Sequence, residues 1–247
     1  MAHLVHYSEA HPLVFRITHW VNLISMFVLI LSGIEIHYPV VPGLMGVARG
    51  AHIFFGIVLV INCIFRIVAA GFVKSSPYYG SRVQKLDMYT FLPQKDNRHQ
   101  LIPWVKYYLF IKKEHPLGGK YGVPQKLSYL LIAVAILFMG YTGFCLWAPT
   151  MNVPFFAGFT AAVGGLMKVR VIHYFMMYFF ICFTLIHVYL ANIEGTDPSK
   201  VMLFGKKSHG GLTYDPETMN VSGYDNMKDE EPKAKEEAEE NGAAATA

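Results

Sequence analysis

Charge is scarce in this chain, and paired cysteine is missing from it. Only 15% of its 247 residues are charged, against 53% hydrophobic, where a water-soluble domain usually carries about 25% charge. The three cysteines, Cys63, Cys145 and Cys182, all fall inside apolar stretches, and no two share a C-x-x-C spacing. Covalent c-type haem attachment, which needs C-x-x-C-H, is therefore excluded, as is C-x-x-C ligation of zinc or an iron–sulfur cluster. The cysteines read as small buried hydrophobes. A basic n-region is also lacking. Residues 1–14 are polar and His-rich and lead into an apolar segment too long for a signal-peptide core, so that segment is expected to act as an uncleaved anchor.

What the chain has is long apolar runs. A bilayer-spanning helix needs about 20 such residues, and four candidates are present, at 15–37, 51–72, 127–147 and 170–192. The expected fold class is an all-α membrane protein, a four-transmembrane-helix bundle within a domain spanning 1–205. The polar remainder, 206–247, is rich in Gly, Lys and Glu, cannot bury a core and is expected to be disordered. A fifth apolar stretch, 151–167, contains Pro154, Gly158, Gly164 and Gly165 and is expected to be a surface loop or short interfacial helix.

Charge placement is more informative than the net +4. The 73–126 connection holds ten Lys/Arg against three Asp/Glu, whereas 38–50 holds only Arg49 and 148–169 only Lys168. The positive-inside rule puts that connection, and with it both termini, in the cytoplasm. Basic residues lying beside membrane spans argue against a nucleic-acid partner. Within the connection, P-W-V-K-Y-Y-L-F-I-K-K reads as an amphipathic helix at headgroup level. Trp104 and Trp147 suit interfacial positions.

Ionisable groups inside spans are expensive and point to function. His173 and His187 stand 14 residues apart in the last span, close to four helical turns, so both leave one face about 21 Å apart. On the expected topology His19 opens span 1 near the inner surface and His52 opens span 2 near the outer one. Span 4 runs inward, which pairs His19 with His187 and His52 with His173 by depth. Two matched imidazole pairs suggest two bis-histidine haems, each an outer-sphere redox centre with no open coordination position. Gly33, Gly56, Gly140 and Gly143 could make room for porphyrins or serve ordinary helix contacts. Arg66 and Arg16 could pair with inner-haem propionates or snorkel to the surface. Arg49, Lys168 and Arg170 could neutralise outer propionates or form a docking surface. Of the other histidines, His3, His6, His11, His99, His115 and His209 read as solvated, and His37 is a spare candidate ligand on the outer side.

H-P-L-V-F-R-I-T-H-W (11–20), H-I-F-F-G-I-V (52–58), I-F-R-I (64–67) and the H-x13-H span together resemble the b-type cytochrome subunit of membrane-bound NiFe hydrogenases, in the wider cytochrome b561 group. They are also similar to the gamma subunit of respiratory formate dehydrogenase and to thiosulfate reductase anchors. The resemblance covers about 11–205 and carries the haem ligands to His19, His52, His173 and His187. It implies two haem b groups and a bacterial inner-membrane location. It also implies a catalytic NiFe large subunit and an iron–sulfur small subunit on the outer side, feeding electrons through this chain to menaquinone or ubiquinone near the cytoplasmic side. Proton uptake from inside would make that transfer charge-separating. G-K-Y-G-V-P-Q-K-L (119–127) resembles the segment before the third span of formate dehydrogenase anchors, implying quinone contacts at Tyr121, Gln125 and Lys126. Gly122 stands where those anchors carry a quinone-binding Asn. T-G-F-C-L-W (142–147) looks closer to the hydrogenase anchors.

Other classes remain open at this point. A free-standing b561-type cytochrome would carry the same ligands without a catalytic partner. A proton channel or transporter would need a continuous polar path, and Glu35, Asn22, Asn62 and Arg66 do not line up in the sequence. Zinc is less apt, because the two pairs lie too far apart to share one tetrahedral site. A purely structural anchor would not require histidines at matched depths.

Overall fold

The computed structural model describes residues 11–75, 84–92, 99–113, 116, 121–192, 196–204, 213–214 and 221–222. Four helices are long and apolar enough to cross a membrane: α1 (Leu13–His37), α2 (Met45–Ala70), α4 (Val123–Leu146) and α6 (Leu166–Asn192). Between them lie a short α3 (Leu101–Tyr108) and α5 (Pro154–Ala162), and α7 (Asp197–Phe204) follows α6. Among the described residues, strand structure is confined to two antiparallel pairs of two-residue strands, Lys74–Ser75 with Lys85–Leu86, and Thr213–Tyr214 with Val221–Ser222. Most of the expected polar tail, 206–247, lies outside the described residues.

All four spans start earlier than their apolar cores suggest. α1 begins at Leu13 rather than 15, α2 at Met45 rather than 51, α4 at Val123 rather than 127 and α6 at Leu166 rather than 170. Hydropathy marks the stretch that must lie in hydrocarbon, whereas backbone hydrogen bonding continues into the headgroup layer. A 26-residue helix such as α2 measures about 39 Å, longer than a hydrocarbon core of about 30 Å. Pro124 falls in the first turn of α4, where its missing N–H costs nothing.

The 151–167 stretch forms the short α5, as one of its two expected forms. Its end is a Schellman motif: Gly164 N–H donates to Ala161 O and Gly165 N–H to Thr160 O. Both glycines hold positive φ, 94° and 102°, which turns the chain into α6. The same motif closes α3, with Phe110 N–H on Tyr107 O and Ile111 N–H on Lys106 O. Phe110 takes the left-handed position at φ 59°, so the expected amphipathic helix stops after Tyr108 and does not run on through Lys113.

The chain divides into two compact units. The first joins Leu13–Ala69 to Ser128–Ser199 and carries the four spans. Its core is Leu59 and Cys63 of α2, Ala135 and Ile136 of α4 and Phe180 of α6, with Met26 and Leu29 of α1 packed alongside. Large apolar side chains such as Phe27, Phe54, Leu130 and Phe175 face outward, as lipid-facing residues do. The inward face of α1 is the reverse: its buried residues are Phe15, Thr18, Ser25, Ser32 and Glu35. Among polar groups in hydrocarbon only those turned inward find partners. Glu35 accepts backbone hydrogen bonds from Val40 (3.1 Å) and Val41 (3.2 Å), closing the turn between α1 and α2.

The second unit contains the 70–127 connection. Asp87 is fully buried there and accepts a 2.6 Å hydrogen bond from Ser75 Oγ. Trp104 is buried within this unit at 4% exposure. Its indole packs against Gly122, where a Cβ would come within 2.9 Å of Cε2 and Cζ2. The absence of a side chain at 122 is what admits the ring.

Of the four span glycines, Gly140 and Gly56 serve helix contacts. A Cβ at Gly140 would collide with Val60 Cγ2, and one at Gly56 would touch Leu29 at 3.8 Å. Gly140→Leu is expected to lower stability in detergent by about 1–3 kcal/mol through overpacking. Val60→Ala in the same protein should recover most of it; an unchanged thermal midpoint in the single variant would contradict this packing.

Candidate functional site

The two histidine pairs expected from depth both form. His19 of α1 and His187 of α6 have ring centroids 6.2 Å apart at 47°. His52 of α2 and His173 of α6 have centroids 6.1 Å apart at 62°. The levels are separated by 14 residues of α6, about 21 Å of helix rise. Two imidazole nitrogens bound to one metal ion at about 2.0 Å each set their centroids about 6.3 Å apart. A direct ring-to-ring hydrogen bond would draw them about 1 Å closer. Both separations match the metal-bridged case. Among the described residues no group of three or more His, Cys, Asp or Glu is placed to hold a metal ion, so each pair offers a two-nitrogen donor set, the demand of a haem iron.

The His52/His173 level carries partners that the sequence reading missed. Ser32 Oγ lies 2.9 Å from His52 Nδ1, and Thr142 Oγ1 lies 2.8 Å from His173 Nδ1. Each hydroxyl has one hydrogen. Ser32 directs its own to Val28 O (2.7 Å), and Thr142 to Met139 O (2.9 Å). With that hydrogen on the carbonyl, each oxygen accepts from Nδ1–H, an arrangement that leaves the lone pair of both histidines on Nε2, free for a metal.

Each hydroxyl is followed by a glycine at the same ring. A Cβ at Gly33 would stand 3.4 Å from His52 Cε1, and one at Gly143 would stand 3.5 Å from His173 Cε1. The dipeptides Ser32-Gly33 and Thr142-Gly143 thus present the same device, a hydroxyl to orient the ring and a missing side chain beside it. Hydroxyl–glycine pairs on an apolar span were the available signal. Periodicity could not distinguish them from ordinary small-residue contacts.

The His19/His187 level is built differently. His19 Nδ1 is buried and has no hydrogen-bond partner among the described residues. Trp20 lies edge-on to His19, with centroids 5.3 Å apart. His187 is flanked by Phe183, parallel within 8°, and by Tyr129. Rings rather than hydroxyls hold these imidazoles.

Other expected residues find definite places. The Arg66 guanidinium stands 3.7 Å over the Phe15 ring. Arg16 is half-buried on α1. Asn62 donates to Asn22 Oδ1 (2.6 Å) and to Thr18 O (2.7 Å), so these amides, scattered in the sequence, meet between α1 and α2. His37 stacks on Tyr174 at 4.0 Å and 14°; it joins neither pair. His11 faces Tyr121, and His99 is exposed. His3, His6, His115 and His209 lie outside the described residues.

In the second unit, Gln125 Oε1 accepts from Gly122 N–H at 2.7 Å, the reach of an N3 side chain back to the helix cap. Lys126 Nζ donates to Leu92 O at 3.2 Å. Tyr121 is buried, its ring 5.3 Å from Phe91. The three residues singled out for quinone contact therefore include two that brace the entrance to α4.

Replacing Asn22 and Asn62 singly and together by Ala is expected to give a coupling energy of about 0.6 kcal/mol, within the range of membrane interhelical hydrogen bonds. Unfolding in mixed micelles reads it, and additive single effects would remove the pair from the account of how α1 is held.

A family model described as prokaryotic cytochrome b561 matches residues 10–203. The chain is 29% identical over 199 residues to a probable Ni/Fe-hydrogenase B-type cytochrome subunit of Azotobacter chroococcum mcd 1, covering 72% of this chain and 78% of that protein. It matches the corresponding protein of Azotobacter vinelandii at the same identity and coverage. It is also 26% identical over 215 residues to the nitrate-inducible formate dehydrogenase cytochrome b556(Fdn) subunit of Escherichia coli strain K12, covering 78% of this chain and 84% of that one.

Proposed function

The chain belongs to the prokaryotic cytochrome b561 family, a family of b-type cytochromes, and we propose that it is the dihaem membrane subunit of a hydrogenase-type complex. In this reading it carries electrons from an outer iron–sulfur and NiFe catalytic pair to membrane quinone. The observation that carries it is the pair of imidazole couples, 6.2 and 6.1 Å between centroids, on helices that cross a bilayer. His19 and His187 hold the haem b near the cytoplasmic surface, and His52 and His173 the one near the outer surface. Bound between two neutral imidazoles, haem supplies one-electron transfer without an open coordination position.

The chain's own residues do the rest. Ser32 and Thr142 fix ring orientation, Gly33 and Gly143 leave space beside the rings, and the apolar exterior of the four spans keeps the sites in hydrocarbon. Arg16 and Arg66 are the proposed cations near the cytoplasmic-side propionates, and Arg49, Lys168 and Arg170 those of the outer side. The ten basic residues of the 73–126 connection support a cytoplasmic location for that segment and the termini in a bacterial inner membrane. Quinone, menaquinone or ubiquinone, is proposed to bind on that side with contacts from Tyr121, Gln125 and Lys126. Residues 1–205 then form the cytochrome domain, with 206–247 a polar cytoplasmic extension.

The similarity to a formate dehydrogenase subunit supports a second reading of the same chemistry, in which the catalytic partner oxidises formate. Co-purification from mild detergent distinguishes the two: a NiFe large subunit supports the first, a formate-oxidising subunit the second, and a haem-loaded chain that purifies alone supports a free-standing cytochrome.

Purified protein is expected to hold about two haems per chain by pyridine haemochrome assay. His187→Ala should leave about one, with the His52/His173 centre intact. Fewer than one haem in the unaltered chain would refute the dihaem assignment, and equal loss of both centres in the variant would refute their independence.

A further inference from the structure

The two imidazole levels differ in a way that the ligands alone do not reveal. At the His52/His173 level both Nδ1 atoms face a hydroxyl oxygen, 2.9 and 2.8 Å away, that also reaches a carbonyl of its own helix at 2.7 and 2.9 Å and so can accept from the ring. At the other level His19 Nδ1 is buried with no hydrogen-bond partner among the described residues. The two hydroxyls come from different helices, α1 and α4, and act on ligands carried by α2 and α6. Thr142 is fully buried and Ser32 is 7% exposed, so water does not compete effectively for either bond.

A ligand imidazole that donates its Nδ1–H to an acceptor gains electron density at Nε2 and becomes the stronger donor to a metal. A stronger donor favours the ferric over the ferrous state, which lowers the reduction potential. In a low-dielectric, membrane-buried site such a bond acts with little screening.

We propose that Ser32 and Thr142 are positioning residues that lower the reduction potential of the His52/His173 haem site selectively, leaving the His19/His187 site to be governed by its aromatic surroundings. This rests on the dihaem reading above. Both hydroxyls then bias an electron entering at the outer level toward the cytoplasmic level, and so help set the direction in which the chain conducts. The device is local, because each oxygen touches only its own histidine and its own helix.

The test is an anaerobic redox titration of the purified, haem-loaded chain followed by its visible absorbance. It is run on the unaltered protein and on Ser32→Ala, Thr142→Val and the double variant. A parallel titration in the His187→Ala background contains only the His52/His173 centre and assigns the waves. The double variant is expected to shift the ferrous-to-ferric ratio of that centre at fixed potential by about tenfold toward ferrous, equivalent to about 59 mV for a one-electron couple. Each single variant should give part of that, while the second wave stays in place. Thr142→Ser, which keeps a hydroxyl, should restore the unaltered value. Because the hydroxyls act on separate ligands, either single variant suffices should the other not accumulate. Variants that retain both haems with unmoved waves, or that move both waves alike, overturn the proposal and leave the dihaem reading standing. An unaltered protein without two haems overturns that reading and the proposal with it.

Discussion

A polar atom placed inside hydrocarbon is costly unless it finds a partner within the protein, and this constraint organises much of the four-span unit. α1 illustrates it most plainly: Thr18, Ser32 and Glu35 are buried and hydrogen-bonded while large apolar residues such as Phe27 and Leu31 face outward, and Ser25 Oγ is the buried exception without a partner among the described residues. An inward polar face would be a fault in a water-soluble helix. In a membrane helix it is the inexpensive arrangement, since outward-facing hydroxyls would meet lipid. The polar face of α1 serves three separate ends. Glu35 closes the turn to α2, Ser32 orients His52, and Asn22 with the Thr18 carbonyl receives Asn62. None of these forms a continuous path along the helix, because Met26 and Leu29 pack into the apolar core between them. The polar residues that a channel would string together are spent on local contacts.

The same constraint bears on the two histidine pairs. An imidazole in a bilayer is costly unless both nitrogens are occupied, and in the proposed dihaem reading a bis-imidazole haem would satisfy Nε2 of both partners at once. Nδ1 then remains to be dealt with. At one level the chain supplies hydroxyls that also reach helix carbonyls and can accept from Nδ1–H. At the other it surrounds the rings with Trp20, Phe183 and Tyr129. Both levels use α1, α4 and α6, with Ser32 and Thr142 at one and Trp20, Tyr129 and Phe183 at the other.

The 70–127 segment is held by local contacts. Its Trp104 is buried against a glycine, its Asp87 is satisfied by Ser75, and Gln125 caps a helix start. Gln125 and Lys126 spend polar atoms on the backbone, which gives both residues a structural role whatever else they contact. Gly122 is likewise explained by the Trp104 ring packed on it, a constraint that arises within this unit.

The amino-acid sequence by itself determined the number of membrane-length helices, the approximate core of each and the pairing of four histidines by depth. These follow from hydrophobic length and 3.6-residue periodicity, which depend on nearest neighbours along one helix. Helix ends were less legible, since the Schellman turns at Phe110 and Gly164 and the early starts of α2, α4 and α6 depend on backbone hydrogen bonding that hydropathy does not register. Beyond the histidine pairs, the contacts that require two helices to face each other were decided by tertiary structure. Ser32 reaches His52 across 20 residues of sequence and Thr142 reaches His173 across 31, and the Asn22–Asn62 contact likewise joins distant positions. A hydroxyl on an apolar helix carries no mark of which ring it will meet. Only the rotation of one helix against another turns it into the group that fixes a histidine's proton.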